Sequence, residues 1–575
     1  MGRRRRKAEA SGRQPPTARP RRGWVHALAG LVVLWLLLES YGPALRGPFL
    51  FDDLYLPFTN PDLQNAPLRY WLGYIRPVLM LSYWLNYRLA GMEPYFYHLF
   101  SVLAHFLAGM FVFIIAGKVL ERAEIPAPRR QILAGFAALT FLWHPLQTES
   151  VAYIAGRSEV MSGLFYLAAL ALFWARSSSA VTWPVALGVL LLYGAAVLSK
   201  EHAASLVAVL FLTDWFWNSA WQGIRRNWRL YLPIAAGAAA AARFVWNVLA
   251  ASDTAGFAVR EFTWWQYFLT QCRALWLYLR LFLLPYGQNL DYDFPISRTP
   301  LEHGALWGLL GLLALLALAL VVRRRYPLAS YGFLCALATL APTSSFIPIL
   351  DPVAERRMYL AIPWLALALA EPLARWRTDV ARLAALLCVW LAVMGVLTWK
   401  RNAVWSDAIA LWQDTVAKSP RKQRPRFQLA YAYYQANRCA EALPHFEHAA
   451  RLERADYRLL VDWALAADCA GRFQEALEKL RAAAALEDTA HVRALMGMVY
   501  GKRNLHEEAL RELDMAARLD PNFDMTYVYR GNIYLAAGDA RAASAEFQRA
   551  LQLNPRNSAA RLALRQAEAA LRQVR

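Results

Sequence analysis

The hydrophobic pattern divides the chain into two parts that meet near Lys400. From about Trp24 to Trp399, long apolar runs alternate with short polar links, whereas from Lys400 to Arg575 charged residues recur every few positions in Ala-rich stretches. A run of about 20 apolar residues can cross a membrane as a helix. The pattern therefore predicts an all-α protein, in which a polytopic membrane helix bundle is followed by a second, more polar helical domain.

The apolar runs predict about eleven membrane spans. The links that follow the second, fourth, sixth, eighth and tenth runs carry Arg and Lys, which are typical of the cytoplasmic side. This side is shared with the N-terminal tail. The predicted spans cover residues 24–41, 97–117, 131–148, 159–175, 181–199, 203–218, 230–250, 304–322, 328–345, 357–374 and 380–399.

The longer polar loops fall on the opposite, outer face, and they cover residues 42–96, 251–303 and 346–356. An odd number of spans places the C-terminal domain on this face as well. Trp264 to Leu284 is apolar enough to span but carries Arg273 and Arg280. Because a further crossing would move later basic links outside, we interpret this segment as a helix lying in the outer interface.

Composition supports a membrane protein and argues against nucleic-acid binding. The 575 residues are 58% hydrophobic and include 23 Trp, and the net charge of +21 owes much to a basic tail over residues 1–23. A basic tail before an apolar run is typical of a cytoplasmic N-terminus. The first run resembles a signal peptide but has no obvious cleavage site, so we predict an uncleaved span. The Ala- and Arg-rich composition suggests a bacterial inner-membrane protein.

A period of about 34 residues after Pro420 matches the tetratricopeptide repeat. Small residues recur where paired helices must approach, and larger ones recur between them. The last repeat carries Tyr527, Gly531, Tyr534, Gly538, Ala543, Phe547, Ala550 and Pro555. Three similar units precede it, and the pattern predicts a half-repeat connector over 400–420, repeats over 421–575 and a capping helix that uses Ala560, Leu562, Leu564 and Ala567.

Repeats of this kind present a concave surface, which favours binding of an acceptor or an assembly partner. The alternative is a scaffold that only assembles the protein into a complex. Cys439 and Cys469 fall near helix-pair turns of adjacent repeats, so either a disulfide or two free thiols fits the sequence. Cys272, Cys335 and Cys388 lie in apolar segments and are interpreted as core residues.

Four polar clusters follow the outer ends of predicted spans, where ionisable groups are costly and indicate function. The first contains the adjacent pair Asp52 and Asp53, whose mutual repulsion suits one carboxylate to accept a proton; an acidic helix cap is the alternative. The remaining members of the four clusters are Arg76; His144, Glu149, Arg157 and Glu159; Lys200, Glu201 and His202; and Glu355, Arg356 and Arg357.

Carboxylates and cations together suit deprotonation of an acceptor and retention of a phosphate leaving group. Ligation of a divalent metal by Asp52, Asp53, His144 and His202 is an open alternative, but their spacing does not support it, and we predict no metal site.

These motifs resemble the transmembrane and tetratricopeptide-repeat containing mannosyltransferases, relatives of the protein O-mannosyltransferases with the GT-C fold. The resemblance covers nearly the whole chain after the basic tail. It rests on F-D-D at Phe51 to Asp53, N-P-D-L, S-Y-W-L-N-Y at Ser82 to Tyr87, Y-H-L with His105, H-P-L-Q-T-E-S-V-A with G-R-S-E, S-K-E-H, and V-A-E-R-R-M-Y-L.

The resemblance implies an inverting transfer of a hexose, typically mannose, from a polyprenyl or dolichyl phosphate to a protein hydroxyl. It implies that Asp52 and Asp53 supply the base and that Arg157, Lys200, Arg356 and Arg357 hold the donor phosphate. His202 departs from the glutamine common in the family. The alternatives are a same-fold transferase acting on lipid or polysaccharide, and a non-catalytic membrane scaffold that displays the repeats.

Overall fold

The computed structural model describes residues 23–176, 179–251 and 255–573, and most of the basic tail, residues 1–22, lies outside them. The first part of the chain forms α1 (Gly23–Leu45), α2 (Pro61–Gln64), α3 (Leu68–Leu72), α4 (Pro77–Ala90), α5 (Pro94–Arg122), α6 (Ala127–Trp143), α7 (Thr148–Val151), α8 (Arg157–Arg176), α9 (Trp183–Val197), α10 (Leu206–Trp217), α11 (Trp221–Arg226), α12 (Trp228–Ala251), α13 (Trp264–Leu283), α14 (Ala305–Val322), α15 (Pro327–Leu340), α16 (Ile362–Arg375) and α17 (Val380–Val404).

The second part forms α18 (Ala408–Lys418), α19 (Gln423–Gln435), α20 (Cys439–Leu452), α21 (Tyr457–Cys469), α22 (Phe473–Leu486), α23 (Ala490–Gly501), α24 (His506–Leu519), α25 (Asp524–Ala536), α26 (Ala540–Leu553) and α27 (Ser558–Gln573). Helices and short helical turns account for the regular structure of the described residues, apart from one isolated β-bridge between Ala255 and Ile349. The predicted all-α class is confirmed.

Each predicted span falls on a helix, but the helices differ in length. Five helical segments of the described chain are long and apolar enough to cross a membrane: Ala27–Leu45, Pro94–Arg122, Arg157–Arg176, Glu302–Val322 and Val380–Val404. Trp183–Val197 and Pro327–Leu340 are apolar but shorter. With 12 residues, α10 is roughly 18 Å long, less than the hydrocarbon thickness of about 30 Å. The number of spans stays a prediction.

Several of the links predicted to be cytoplasmic lie together at one end of the bundle. The Arg122 guanidinium at the end of α5 donates to the Trp217 carbonyl at the end of α10, at 3.1 Å. The Arg129 guanidinium in the first turn of α6 donates to the Trp376 carbonyl after α16, at 2.7 Å. Basic side chains at this end therefore bind the free carbonyls of helix C-termini, as the helix dipole favours.

Small residues allow helices of the bundle to approach closely. A Cβ atom at Gly332 would lie 2.5 Å from the Trp364 carbonyl oxygen, and one at Gly163 would lie 2.4 Å from the Tyr359 ring. Close packing at small residues is the usual way in which membrane helices associate. These contacts bring the segment that contains Glu355 and Arg356 against α8.

Both ends of α13 contact the same end of the bundle. Near its start, the Tyr267 hydroxyl donates to the Thr343 carbonyl just after α15, at 2.6 Å. Near its end, the Phe282 carbonyl accepts from the His144 ring just after α6, at 2.9 Å. Since α6 and α15 end on the predicted outer face, a crossing helix would not make both contacts. The position of α13 relative to a membrane stays a prediction.

The second part is a solenoid of helix pairs, α19 with α20, α21 with α22, α23 with α24 and α25 with α26. The two helices of the last pair approach too closely for a side chain at Gly531. A Cβ atom there would lie 2.5 Å from the Phe547 ring. In the final helix, Ala560 and Ala567 are buried as predicted, but Leu562 is 60% exposed and Ala563 is buried instead. The prediction for Leu562 was wrong because the buried stripe is one residue further along.

The repeats pack directly on the outer loops. Trp405 and Trp412 share a buried cluster with Ala44, Leu50 and Tyr153 of the bundle. Polar contacts surround this cluster, since the Arg424 guanidinium binds Asp291 at 2.6 Å and Asp351 at 2.7 Å. At the far end of the solenoid, Arg556 pairs with Asp62 at 2.8 Å. The first outer loop is therefore bounded on one side by the repeats.

The cysteines divide as follows. Cys439 and Cys469 form a disulfide between adjacent repeats, with Cα atoms 5.9 Å apart. Cys272 and Cys335 are buried as predicted, whereas Cys388 is exposed on α17. The core assignment of Cys388 was wrong because only a narrow face of α17 packs on the bundle.

Candidate functional site

The structure separates the roles of the two adjacent aspartates. Asp53 is buried, and its carboxylate accepts hydrogen bonds from the backbone N–H groups of Leu50, at 3.0 Å, and Ala155, at 2.7 Å. Asp52 is exposed, and its backbone N–H donates to the Tyr153 hydroxyl at 2.9 Å. Asp53 therefore anchors the loop, and Asp52 presents its carboxylate to solvent above that anchor.

Burial raises the pKa of Asp53 to about 7, an effect that the two backbone hydrogen bonds oppose and the nearby Asp52 charge reinforces. A group with a pKa near neutrality changes charge easily during function. Its carboxylate oxygens, however, are already taken by backbone donors. We therefore assign Asp53 a positioning role, with Asp52 as the group that is free to meet a substrate.

Buried Glu149 and partly exposed Arg356 form an ion pair beside this loop. The Arg356 side chain donates to one Glu149 oxygen at 2.5 Å, and its backbone N–H donates to the other at 2.9 Å. The Glu149 side chain is 2% exposed and that of Arg356 is 32% exposed. Tyr153 lies within electrostatic reach of Asp52 and Arg356. Part of the Arg356 guanidinium thus remains open for an anion near Asp52.

Glu159 at the start of α8 holds two residues of the segment between α9 and α10. The Lys200 ammonium lies 2.5 Å from one Glu159 oxygen, and the His202 ring lies 3.3 Å from the other. Burial lowers the pKa of Lys200, and the Glu159 charge opposes this shift. The Lys200 side chain is 16% exposed, so this cation reaches the surface of the cluster.

Arg76 and Glu201 complete the cluster at its rim. The Arg76 guanidinium makes a bidentate pair with the Glu201 carboxylate, with both N–O distances at 2.9 Å. The two side chains are 36% and 53% exposed. An exposed pair of this kind contributes little to stability, so it closes the rim of the site without fixing its core.

Arg157 lies beneath the site and has no exposed surface. Its guanidinium is enclosed by the rings of Tyr83, at 4.7 Å, and Phe100, at 4.6 Å, and donates to the Tyr97 carbonyl at 2.8 Å. A donor phosphate cannot reach this group in the structure. We therefore leave Arg157 out of the candidate phosphate site, and its burial beneath aromatic rings was not visible in the sequence.

Three other predicted residues support the surrounding loops. Arg357 donates to the Pro352 carbonyl at 2.8 Å and so folds the last outer loop on itself. His144 is buried and stacks on Phe282 with ring centroids 5.3 Å apart. Glu355 is buried and accepts from the Tyr292 hydroxyl and the Asn289 N–H, each at 2.6 Å. These three side chains position the outer loops and do not face the opening near Asp52.

Within the described ranges, no three His, Cys, Asp or Glu side chains gather as a metal site would require. Three acids of the cluster, Glu149, Glu159 and Glu201, are instead paired with Arg356, Lys200 and Arg76. The arrangement suits proton transfer and binding of an anion.

Sequence reasoning missed two residues of this region. Tyr153 binds the Asp52 backbone and so joins the first outer loop to the segment before α8. In the sequence it lies between two polar motifs and belongs to neither. Asp291 binds Lys422 and Arg424 and so joins an outer loop to the first repeat. The acidic run that contains Asp291 and Asp293 was the available signal, but its partners lie about 130 residues away.

Together, the fold and the site define a polytopic helical membrane protein with an acid–base cluster at one end of its bundle and a tetratricopeptide solenoid beside it. A model of the tetratricopeptide repeat matches residues 526–557. The chain is similar to protein O-mannosyl-transferases of the transmembrane and tetratricopeptide-repeat type, as the following relatives show.

Human protein O-mannosyl-transferase TMTC1 is 25% identical over 512 residues, covering 77% of this chain and 57% of that protein. Protein O-mannosyl-transferase F38B6.6 of Caenorhabditis elegans is 24% identical, covering 69% of this chain and 59% of its own length. Mouse TMTC1 is 33% identical over 175 residues, covering 28% of this chain and 18% of that protein. The chain thus spans less than two thirds of the length of these relatives.

Among solved structures, the tetratricopeptide protein YrrB is 18% identical with a TM-score of 0.24, covering 27% of this chain and 80% of its own. A similarity this low carries no argument about the fold, which rests on the helix pairs described above.

Proposed function

We propose that this protein is a membrane glycosyltransferase that transfers a hexose, by the names of its relatives a mannose, to a Ser or Thr hydroxyl of a protein. The donor is a polyprenyl or dolichyl phosphate sugar, and the reaction takes place at the outer face of the membrane. The observation that carries the proposal is the exposed carboxylate of Asp52, anchored by buried Asp53 and set beside the Glu149–Arg356 pair.

In the proposed step, Asp52 takes the proton of the acceptor hydroxyl while the hydroxyl oxygen forms a bond to the anomeric carbon. The bond from that carbon to the phosphate oxygen breaks, and its electron pair leaves with the lipid phosphate. Attack from the side opposite the phosphate inverts the anomeric configuration. A general base that is positioned to accept the proton of the attacking hydroxyl in the transition state raises the rate of such a transfer.

Arg356 and Lys200 are the proposed phosphate ligands. Both retain exposed surface, and each is held by a nearly buried carboxylate, Glu149 or Glu159. Fixed cations stabilise the charge that grows on a leaving phosphate without reorganisation. The partial exposure of the two cations supports this assignment, whereas the enclosed guanidinium of Arg157 supports a structural role.

The concave face of the repeats is the proposed acceptor surface. Arg458 of α21 donates to the Tyr55 hydroxyl at 2.5 Å, three residues from Asp52. Tyr431 and Asp462 lie beside this contact. Asp462 makes one ion pair, to Arg458 at 3.8 Å, which is too long for a hydrogen bond. Burial raises the pKa of Asp462 to about 6. This carboxylate is therefore available to a donor on an acceptor polypeptide.

The Cys439–Cys469 disulfide supports an extracytoplasmic position for the repeats, because structural disulfides persist in oxidising compartments. The predicted odd number of spans, with α13 along the outer face, supports the same position.

The deciding experiment is sugar transfer by purified Asp52→Asn protein, with a polyprenyl-phosphate hexose and a Ser/Thr-rich polypeptide. We expect a loss of about 100-fold or more, because a general base contributes roughly 10²–10⁴ to a rate. Asp62→Asn is the matched control, since Asp62 is an exposed carboxylate of the same loop. Unchanged transfer by the Asp52→Asn protein would exclude Asp52 as the base, and absence of transfer by the wild type would favour the scaffold alternative.

A second assay addresses the acceptor class. Asp462→Asn and Tyr431→Ala should raise the KM for the polypeptide acceptor while leaving that for the donor unchanged, and Glu447→Gln on α20 should change neither. Transfer to lipid or polysaccharide, with none to the polypeptide, would favour the same-fold alternative.

A further inference from the structure

A groove of about 420 Å³ lies between α13 and the beginning of α14, away from the cluster around Asp52. The groove is lined by one guanidinium group and several aromatic rings. They are Arg273, Trp276, Phe294, His303 and Trp307. The loop between α13 and α14 forms one wall, so the groove lies on the same face of the bundle as the outer loops.

Glycines create the space. Gly304 directly precedes α14 and has a φ of +79°, a conformation that other residues rarely adopt. A Cβ atom at Gly308 would lie 2.7 Å from the Cys272 carbonyl oxygen. The two helices therefore touch at Gly308, where the Trp276 indole N–H also donates to the Gly308 carbonyl at 2.9 Å. The groove opens above this point of contact.

Arg273 brings a positive charge that no carboxylate neutralises. One guanidinium nitrogen donates to the Pro295 carbonyl at 2.8 Å and the Ser297 hydroxyl at 3.0 Å, and the group lies 4.5 Å from the centre of the Phe294 ring. No acidic side chain of the described chain pairs with it within 4.0 Å. The remaining N–H groups are free to bind an anion, and a guanidinium binds phosphate oxygens well.

The position of the groove points to a lipid. Trp307 is 74% exposed, and the apolar residues Leu310 and Leu313 that follow it on α14 are 46% and 51% exposed. Exposed tryptophan at the end of an apolar helix is typical of the boundary between headgroups and acyl chains. No acidic residue occupies the first turn of α14, whose partial positive charge also favours an anion.

We propose that this groove binds the phosphate headgroup of an anionic membrane phospholipid, with Arg273 on the phosphate and Trp276 and Trp307 beside the acyl chains. This site would fasten α13 to the outer leaflet. The proposal depends on α13 lying along the membrane surface and is independent of the sugar transfer proposed above.

The test measures thermal unfolding of the full-length protein in a neutral detergent with added phosphatidylglycerol or phosphatidylcholine of the same acyl chains. A ligand that binds only the folded state raises the Tm with its concentration. We expect phosphatidylglycerol to raise the Tm of the wild type far more than phosphatidylcholine. Arg273→Gln should weaken binding of phosphatidylglycerol by about tenfold or more, as loss of a charge-assisted hydrogen bond implies.

Arg280→Gln is the matched control. Arg280 lies on the same helix, and its substitution removes the same charge. Its guanidinium, however, stacks on Tyr286 outside the groove. An equal loss in both variants would show a general effect of helix charge and overturn the site. The proposal would also fail if Arg273→Gln left binding unchanged, or if polyprenyl phosphate bound through Arg273 where phosphatidylglycerol did not. Native mass spectrometry of the retained lipid gives an independent readout in variants with a lowered Tm.

Discussion

The carboxylate of Asp53 accepts a hydrogen bond from the backbone N–H of Ala155 at 2.7 Å. This bond joins the first outer loop to the turn that precedes α8. It explains why two adjacent aspartates have different roles: one is consumed in holding the loop and the other remains exposed.

Asp53→Asn should destabilise the protein at acidic pH. The amide has a single oxygen, so one of the two backbone N–H groups now bound by Asp53 loses its acceptor. A buried donor without a partner costs about 1–3 kcal/mol. Denaturant or thermal unfolding in detergent measures the change. Asp52→Asn, at an exposed position, should have little effect on stability.

The stability difference between wild type and Asp53→Asn should also depend on pH. Burial raises the pKa of Asp53 to about 7, above the value of about 3.9 for an unfolded chain. The stability from this group is complete below about pH 4 and is lost as pH rises through about 7, because the folded state holds a proton that the unfolded state releases. The wild-type advantage should therefore shrink over that range. A constant difference would contradict the raised pKa.

Lys200→Met should leave Glu159 as a buried charge with only His202 beside it. Breaking one side of a buried ion pair costs about 3–5 kcal/mol, and the Glu159 side chain is only 4% exposed. The double variant Lys200→Met with Glu159→Gln should recover most of the stability. If Lys200 also binds the donor phosphate, the double variant will remain inactive in sugar transfer. Recovery of both properties would limit Lys200 to a structural role.

Removing the disulfide should weaken the first two repeats. Cys439 and Cys469 are separated by 30 residues, and a crosslink across such a loop stabilises by on the order of 3–4 kcal/mol in the chain-entropy model. Cys439→Ser with Cys469→Ser should lower the Tm, and a reducing agent should lower that of the wild type but not that of the variant. Cys388→Ser is the control, because Cys388 is unpaired and exposed.

Asp291→Asn should loosen the repeats from the bundle. The Asp291 side chain is 4% exposed and pairs with both Lys422 and Arg424, so its loss leaves Lys422 without a carboxylate and Arg424 with Asp351 alone. We expect faster proteolysis between α17 and α19. Asp293→Asn provides the comparison, since its partner Arg421 is 77% exposed and the pair should contribute little. Equal proteolysis of both variants would show that Asp291 does not hold the interface.

Apolar length and the repeat period determined much of the architecture from the sequence. The all-α class, the positions of the bundle helices along the chain and the helix pairs of the solenoid follow from local periodicity. Each segment carries this periodicity in its own sequence. The four polar clusters were also visible, because charges near the ends of apolar runs stand out. Their pairing, such as Glu159 with Lys200, was not visible, since each pair joins segments distant in sequence.

Tertiary structure alone decided which members of those clusters are accessible. Arg157 and Arg356 look equivalent in the sequence, yet one is enclosed by aromatic rings and the other is 32% exposed. The same holds for Asp52 and Asp53. Sequence determined the kinds of side chain and the helices that carry them, whereas exposure depends on how separate helices pack. The free carboxylate of Asp52 and the repeats beside it are products of that packing.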